Sequence, residues 1–253
     1  LNCADLSTAC GRNKNAAKEV VETAKLSCEA VFFWKDYMSE NKIVTLAEGA
    51  PLILDGGAAL SKFKTAYTTY GTLNEKKNNA ILVCHALTGD QFVASDHPIT
   101  KKSGWWSMVV GPNKSIDTNK FFVICPNVIG GCMGSTGPKE INPESKKEFA
   151  TDFPVVTIAD MVRAQKLLID YLKIEKIFCV TGGSMGGMLV LEWLSKFPEM
   201  VHSAIPIATA TNHSAQNIAL NELARQSIMA DPNWQSGNYY HTCLLYTSDA
   251  ADE

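Results

Sequence analysis

The sequence predicts an α/β fold: a mostly parallel sheet with helices on both faces. Three observations carry that expectation. Apolar, β-branched-rich runs recur at Ile43–Leu54, Lys64–Tyr70, Ala80–His85, Phe121–Cys125, Ile177–Val180 and Ala204–Ala208. Helical patterns lie between the later runs, over Thr157–Leu172 and Gly186–Phe197. A glycine-rich turn joins the Ile177–Val180 run to the second of these helices. Strands that alternate with helices build α/β sheets.

Each element has its own reason. Several of the apolar runs are near-continuous rather than alternating, which is the pattern of strands buried on both faces of a parallel sheet. In Thr157–Leu172 the residues Ile158, Met161, Val162, Gln165, Leu168 and Leu172 step by three or four, the period of one helix face. Thr157 with Asp160 three residues on forms a capping-box pattern, which marks the helix start. Gly186–Phe197 is apolar nearly all round, so it reads as a buried helix, and Pro198 stops it.

Bulk properties narrow the function. The 253 residues suffice for one large α/β domain with its own core. A net charge of −3 gives no basic face for nucleic acid or an anionic membrane. No apolar stretch is long enough to span a bilayer. The eight cysteines form no CxxC pair and no Cys/His spacing suits zinc, so no metal is expected. Cys84, Cys125 and Cys179 each lie inside an apolar run and read as small buried hydrophobes in a reducing compartment.

The motif that carries chemistry is Gly182-Gly183-Ser184-Met185-Gly186. It matches G-x-S-x-G between a predicted strand and a predicted helix, the context of a nucleophile elbow. Ser184 is the expected nucleophile. Small neighbours are needed because the chain passes close to itself at such a turn. The helix behind it aims its N-terminal dipole and free N–H groups at the serine oxygen. An oxyanion hole needs two backbone donors, one just after the nucleophile and one from the loop after an early strand. Met185 supplies the first, and Leu87, in the loop after Ala80–Cys84, supplies the second. His85 precedes the serine, which is the wrong chain order for this fold's general base; a structural or pocket role is expected. Trp105-Trp106 are expected to pack a loop, and Gly130–Gly134 lacks the spacing of a nucleotide cradle.

Six segments together resemble a known family. They are YTTYGTLNEKKNNAILVCHALTGD (67–90), SGWWSMVVGP (103–112), VICPNVIGGCMGSTGP (123–138), DFPVVTIADMVRAQ (152–165), GGSMGGM (182–188) and ATATNHSAQNIALNELARQSIMADPNW (208–234). In that order they resemble the homoserine O-acetyltransferases of the α/β-hydrolase fold, over about residues 45–242. The resemblance implies acetyl transfer from acetyl-CoA, a co-substrate rather than a bound cofactor, to the hydroxyl of L-homoserine through an acyl-Ser184 intermediate. It implies Arg225 as the residue that binds the acceptor's carboxylate, a group suited to a planar guanidinium. It also implies methionine biosynthesis, a homodimer paired through cap helices, and a cytoplasmic or organelle-matrix setting.

The same resemblance sets the expected organisation. Residues 1–42 read as an N-terminal extension of unclear status, 43–210 as a partial hydrolase core, and 211–242 as the start of a helical cap. The triad aspartate and histidine are expected after the cap and are absent from this chain. Residues 243–253, CLLYTSDAADE, resemble the translation of a sequencing-library transposon adaptor and are expected to carry no function. Neither His241 nor the tail's Cys243, Asp249 and Asp252 is therefore expected to act. The chain as it stands is expected to be impaired, with apolar surface exposed and an open sheet edge near 204–208. The alternatives are a relative acting on L-serine or using a succinyl donor, a serine esterase, and a non-catalytic fragment acting as a binding module.

Overall fold

The apolar runs become strands in the computed structural model, which describes residues 42–142 and 145–240. The first is β1 (Lys42–Leu46), followed by the short pair β2 (Leu52–Ile53) and β3 (Ala59–Leu60). Then come β4 (Phe63–Tyr70), β5 (Ala80–Cys84), the short pair β6 (Val110–Gly111) and β7 (Ile116–Asp117), and β8 (Phe122–Pro126). The last two are β9 (Cys179–Gly183) and β10 (Ala204–Ile207). The α-helices among the described residues are α1 (Ile158–Tyr171), α2 (Met185–Lys196) and α3 (Ala215–Ala230). Most of the N-terminal extension and the whole 243–253 tail, with His241, lie outside the described residues.

One six-stranded sheet has the order β1-β4-β8-β5-β9-β10. Its β8, β5, β9 and β10 run parallel, while β1 and β4 add on as antiparallel strands. The sheet is thus mostly parallel, and the G-x-S-x-G turn follows β9 inside its parallel part. The run read as Ile43–Leu54 is two strands. Ala47 takes a left-handed φ of 57° and Pro51 lacks an N–H, so the chain turns between them. Leu52 then pairs with Leu60 in a separate antiparallel hairpin.

Alternate residues of β5 serve opposite faces. Leu82 and Cys84 join the larger core with Val162 and Leu168 of α1 and Leu189, Val190 and Trp193 of α2. Ile81 and Val83 face the other way, onto a smaller cluster with Val93, Val110 and half-buried Trp106. The expected helices on both faces are therefore found on one face among the described residues; the segment around 91–117 covers the other. Cys84, Cys125 and Cys179 are buried free thiols, as read from their apolar runs.

The capping box at α1 forms as its spacing requires. The Asp160 amide donates to Thr157 Oγ1 (3.1 Å), and the Thr157 amide donates to Asp160 Oδ2 (2.9 Å). The structure adds long-range partners that local spacing does not encode. Asp160 Oδ1 also accepts from the Asp55 amide (2.9 Å), and Arg163 pairs with both Asp55 and Asp160. The fully buried Asp160 carboxylate thus ties the β2–β3 hairpin to the helix start. Asp160→Ala removes the carboxylate half of the capping box and leaves a half-buried guanidinium short of one partner. A loss of about 2–3 kcal/mol is expected, read as a lowered urea midpoint at unchanged slope.

At the other end of the sheet, β10 pairs only with β9 among the described residues and leaves Ile205 54% exposed. This is the open edge expected near 204–208. Helix α3 is capped by Ser214, whose Oγ accepts from the Asn217 amide (3.2 Å), yet it buries no residue. Ile218, Leu220 and Leu223 stand in solvent along it.

Candidate active site

The site begins with a backbone that only a constrained turn can hold. Ser184 sits between β9 and α2 with φ 55° and ψ −120°, a region that L residues rarely occupy. Its neighbours hold it there. The Ser184 amide donates to the Ile207 carbonyl of β10 (3.1 Å). The Ser184 carbonyl accepts from the Gly187 and Met188 amides and from Thr209 Oγ1 (2.9 Å). Gly182 and Gly186 are required by contact: a Cβ on either would lie 2.5 or 2.1 Å from the Cys84 carbonyl oxygen. The elbow therefore packs directly on the end of β5, where the His85–Asp90 loop starts. Ser184 itself is exposed.

Met185 is the first residue of α2, so its N–H has no acceptor within the helix. Leu87 is the second residue of the turn 86–89, closed by the Gly89 amide on the Ala86 carbonyl (3.0 Å). Neither amide donates to another group among the described residues. Leu87 and Met185 border one cavity of about 500 Å³, whose wall includes Ile129, Phe153, Lys139 and Tyr239. Both unengaged amides thus belong to residues that border this hollow. The remaining wall comes from the 128–132 loop and from 138–161, to which the sequence analysis assigned no site residue. The quoted VICPNVIGGCMGSTGP segment was the available signal.

His85 is not a free base. It is 1% exposed, its Nδ1 donates to the Ala86 carbonyl (2.7 Å), and its Nε2 accepts from the Val128 amide (3.2 Å). Burial holds its pKa below the ordinary histidine value. The structural role expected of it is the one it has. Cys84, next to it, is no rival nucleophile, because burial pushes its thiol pKa up to about 12. Its Sγ points at Gln165 Oε1, which also accepts from Trp193 Nε1 (2.8 Å), so β5, α1 and α2 meet at one amide oxygen.

The other candidates fall in varied places. Trp105 and Trp106 stack on each other, and Trp105 Nε1 donates to the Asp90 carbonyl (3.0 Å), so the pair does pack a loop. His97, also in that loop, sits 3.2 Å from Asp90 Oδ2. His202 lies against Phe178, ahead of β10, the strand whose last residue Ile207 holds the elbow, and His213 is exposed. Arg225 lies on α3, 71% exposed, paired with Glu222 at 3.2 Å. It is not among the residues that border the Leu87–Met185 cavity. No imidazole or carboxylate hydrogen-bonds Ser184 among the described residues, and these hold no cluster of His, Cys, Asp and Glu that could bind a metal. None of their helices is long and apolar enough to cross a membrane.

Known proteins resemble this chain in sequence and in fold. A homoserine O-acetyltransferase of Mesorhizobium japonicum is 63% identical over 190 residues, covering 75% of this chain and 49% of that protein. Among solved structures, a homoserine O-acetyltransferase of Bacillus anthracis matches with a TM-score of 0.72 at 34% identity, over 80% of this chain and 56% of that one. Esterase E22 matches with a TM-score of 0.71, also at 34% identity, over 79% of this chain and 55% of that one. The chain spans about half the length of the curated relatives it matches. A family model described as alpha/beta hydrolase fold matches residues 79–242, from the start of β5 past the elbow and α3. With the parallel strands, the strained serine turn and its buried helix all inside that match, the chain belongs to the alpha/beta hydrolase fold family.

Proposed function

We propose that the full-length protein carrying these residues is a homoserine O-acetyltransferase with Ser184 as its nucleophile. The observation that carries the reading is the elbow: a strained, exposed serine beside a cavity with two unengaged amides. The 63% identity to a homoserine O-acetyltransferase supports the substrate choice. In this reading Ser184 Oγ attacks the thioester carbonyl of acetyl-CoA. The new Oγ–C bond forms, the C–S bond breaks, and CoA leaves as the thiol with the serine's proton. The homoserine hydroxyl then attacks the acetyl-enzyme, giving the O-acetyl ester and restoring the serine. Leu87 and Met185 N–H stabilise the oxyanion in both steps.

The base for Ser184 and the acid that orients it come, in this proposal, from the part of the relatives' length that this chain does not span. Arg225 as the acceptor's carboxylate ligand requires the cap to bring α3 toward the elbow. Exposed Ile218, Leu220 and Leu223 on α3 suit a dimer contact between cap helices. Buried free thiols favour a reducing compartment such as the cytoplasm.

The reading is tested with the full-length protein and acetyl-CoA, with no acceptor present. A burst of free CoA and one acetyl group on the peptide containing Ser184 are expected. Homoserine should then discharge the acetyl-enzyme faster than serine or water. The similarity to esterase E22 supports a second reading, hydrolysis; discharge by water as fast as by homoserine would favour it.

A further inference from the structure

We infer that His85 is a positioning residue for the oxyanion hole, acting through the Ala86–Leu87 peptide group. The inference rests on the reading of Leu87 as an oxyanion donor. The Ala86 carbonyl and the Leu87 N–H belong to one planar trans peptide unit, so they point in opposite directions. Whatever holds the carbonyl sets the direction of the N–H. Two donors hold it: His85 Nδ1 at 2.7 Å and the Gly89 amide at 3.0 Å. A carbonyl oxygen only accepts, so Nδ1 carries the proton.

The other ring nitrogen locks that tautomer. Nε2 accepts the Val128 N–H at 3.2 Å and therefore has no proton of its own. Val128 borders the same cavity as Leu87 and Met185. The ring thus spans the two loops that wall the hollow and fastens one peptide plane between them. Flipping the Ala86–Leu87 peptide would swing the Leu87 N–H away and leave a buried imidazole N–H unpaired, which low-dielectric surroundings disfavour. With Gly89 alone on the carbonyl, the plane has one fixed donor instead of two. The alternative is that His85 only fills space at the strand end.

Two substitutions separate positioning from packing. In His85→Asn the side-chain amide N–H falls near the Nδ1 position and keeps a donor for the Ala86 carbonyl. In His85→Gln the longer side chain reaches toward Val128 and leaves that carbonyl without its second donor. In the full-length protein, with rates normalised to the folded fraction, His85→Gln is expected to lower kcat by about 10–100-fold with KM little changed. His85→Asn should stay within about threefold to fivefold of the parent. Leu87→Pro, a residue that fits the second position of a turn, deletes the donor itself and is expected to lose about 100-fold or more.

Equal losses in His85→Asn and His85→Gln, alongside an inactive Leu87→Pro, overturn the positioning role and leave the oxyanion reading standing. Full activity in a folded Leu87→Pro overturns the oxyanion reading instead. Nitrogen NMR of labelled histidine in the unsubstituted protein needs no variant to fold. A protonated Nδ1 and bare Nε2 at His85 are expected, and the reverse tautomer overturns the inference.

Discussion

Ser184→Ala is expected to abolish acyl transfer in the full-length protein, with a fall of at least about 10⁴-fold in kcat. The covalent route needs Oγ at the elbow. Cys84 is protonated and buried beneath it. The fold should survive. Alanine has the same backbone restrictions as serine, so the turn at φ 55° stays equally strained, and Ser184 Oγ makes no hydrogen bond among the described residues. Ser184→Gly sharpens the point. Glycine occupies that backbone region without a Cβ penalty, so it should be more stable than Ser184→Ala by about 1 kcal/mol while equally inactive. Rates with acetyl-CoA and urea midpoints for the two variants check both halves. A Ser184→Ala protein that still accumulates acetyl-enzyme would sink the mechanism; a Ser184→Gly protein no more stable than the alanine variant would remove the claim of stored strain.

The elbow was legible because its requirements are local and steric. A strand, a serine flanked by glycines and a buried helix follow one another within a few residues, and close approach leaves little choice at Gly182 and Gly186. The α1 start was legible for the same reason: Thr157 and Asp160 need only three residues of spacing. Partners distant in the chain were not. His85 could be placed at a strand end, but Val128, which fixes its tautomer, is 43 residues away. Asp160 reads as a cap, while its bond to Asp55 spans 105 residues. Strand direction was hidden too. The run Lys64–Tyr70 became an antiparallel strand beside β8, because apolar continuity reports burial and not polarity of the chain. Arg225 is the opposite case. Its role comes from the family motif, while its observed partner, Glu222, is the one that helical spacing alone suggests.

Gly186→Ala is expected to be strongly destabilising. The added Cβ would lie 2.1 Å from the Cys84 carbonyl oxygen, 2.8 Å from the Cys84 carbonyl carbon and 3.0 Å from the His85 carbonyl oxygen. All three are backbone atoms of β5 and its loop, so no side chain can swing aside. Helix α2 would have to move off the sheet, and Leu189, Val190 and Trp193 would lose their packing with it. Alanine's better helix propensity offsets only about 1 kcal/mol of this. A net loss of at least about 4 kcal/mol follows, beyond ordinary overpacking. Gly183→Ala is the control on the same turn: the nearest atom to its Cβ is the Ile207 carbonyl oxygen at 3.9 Å, and a change under about 1 kcal/mol is expected. Urea unfolding of the pair reads the difference directly. The movement also separates Met185 from Leu87, since the clash lies between their two elements. Any Gly186→Ala protein that remains folded should therefore acylate slowly even with Ser184 intact. Equal stability of the two variants would mean that α2 does not rest on the end of β5 as described, and the shared base of the nucleophile and its oxyanion donors would be lost with it.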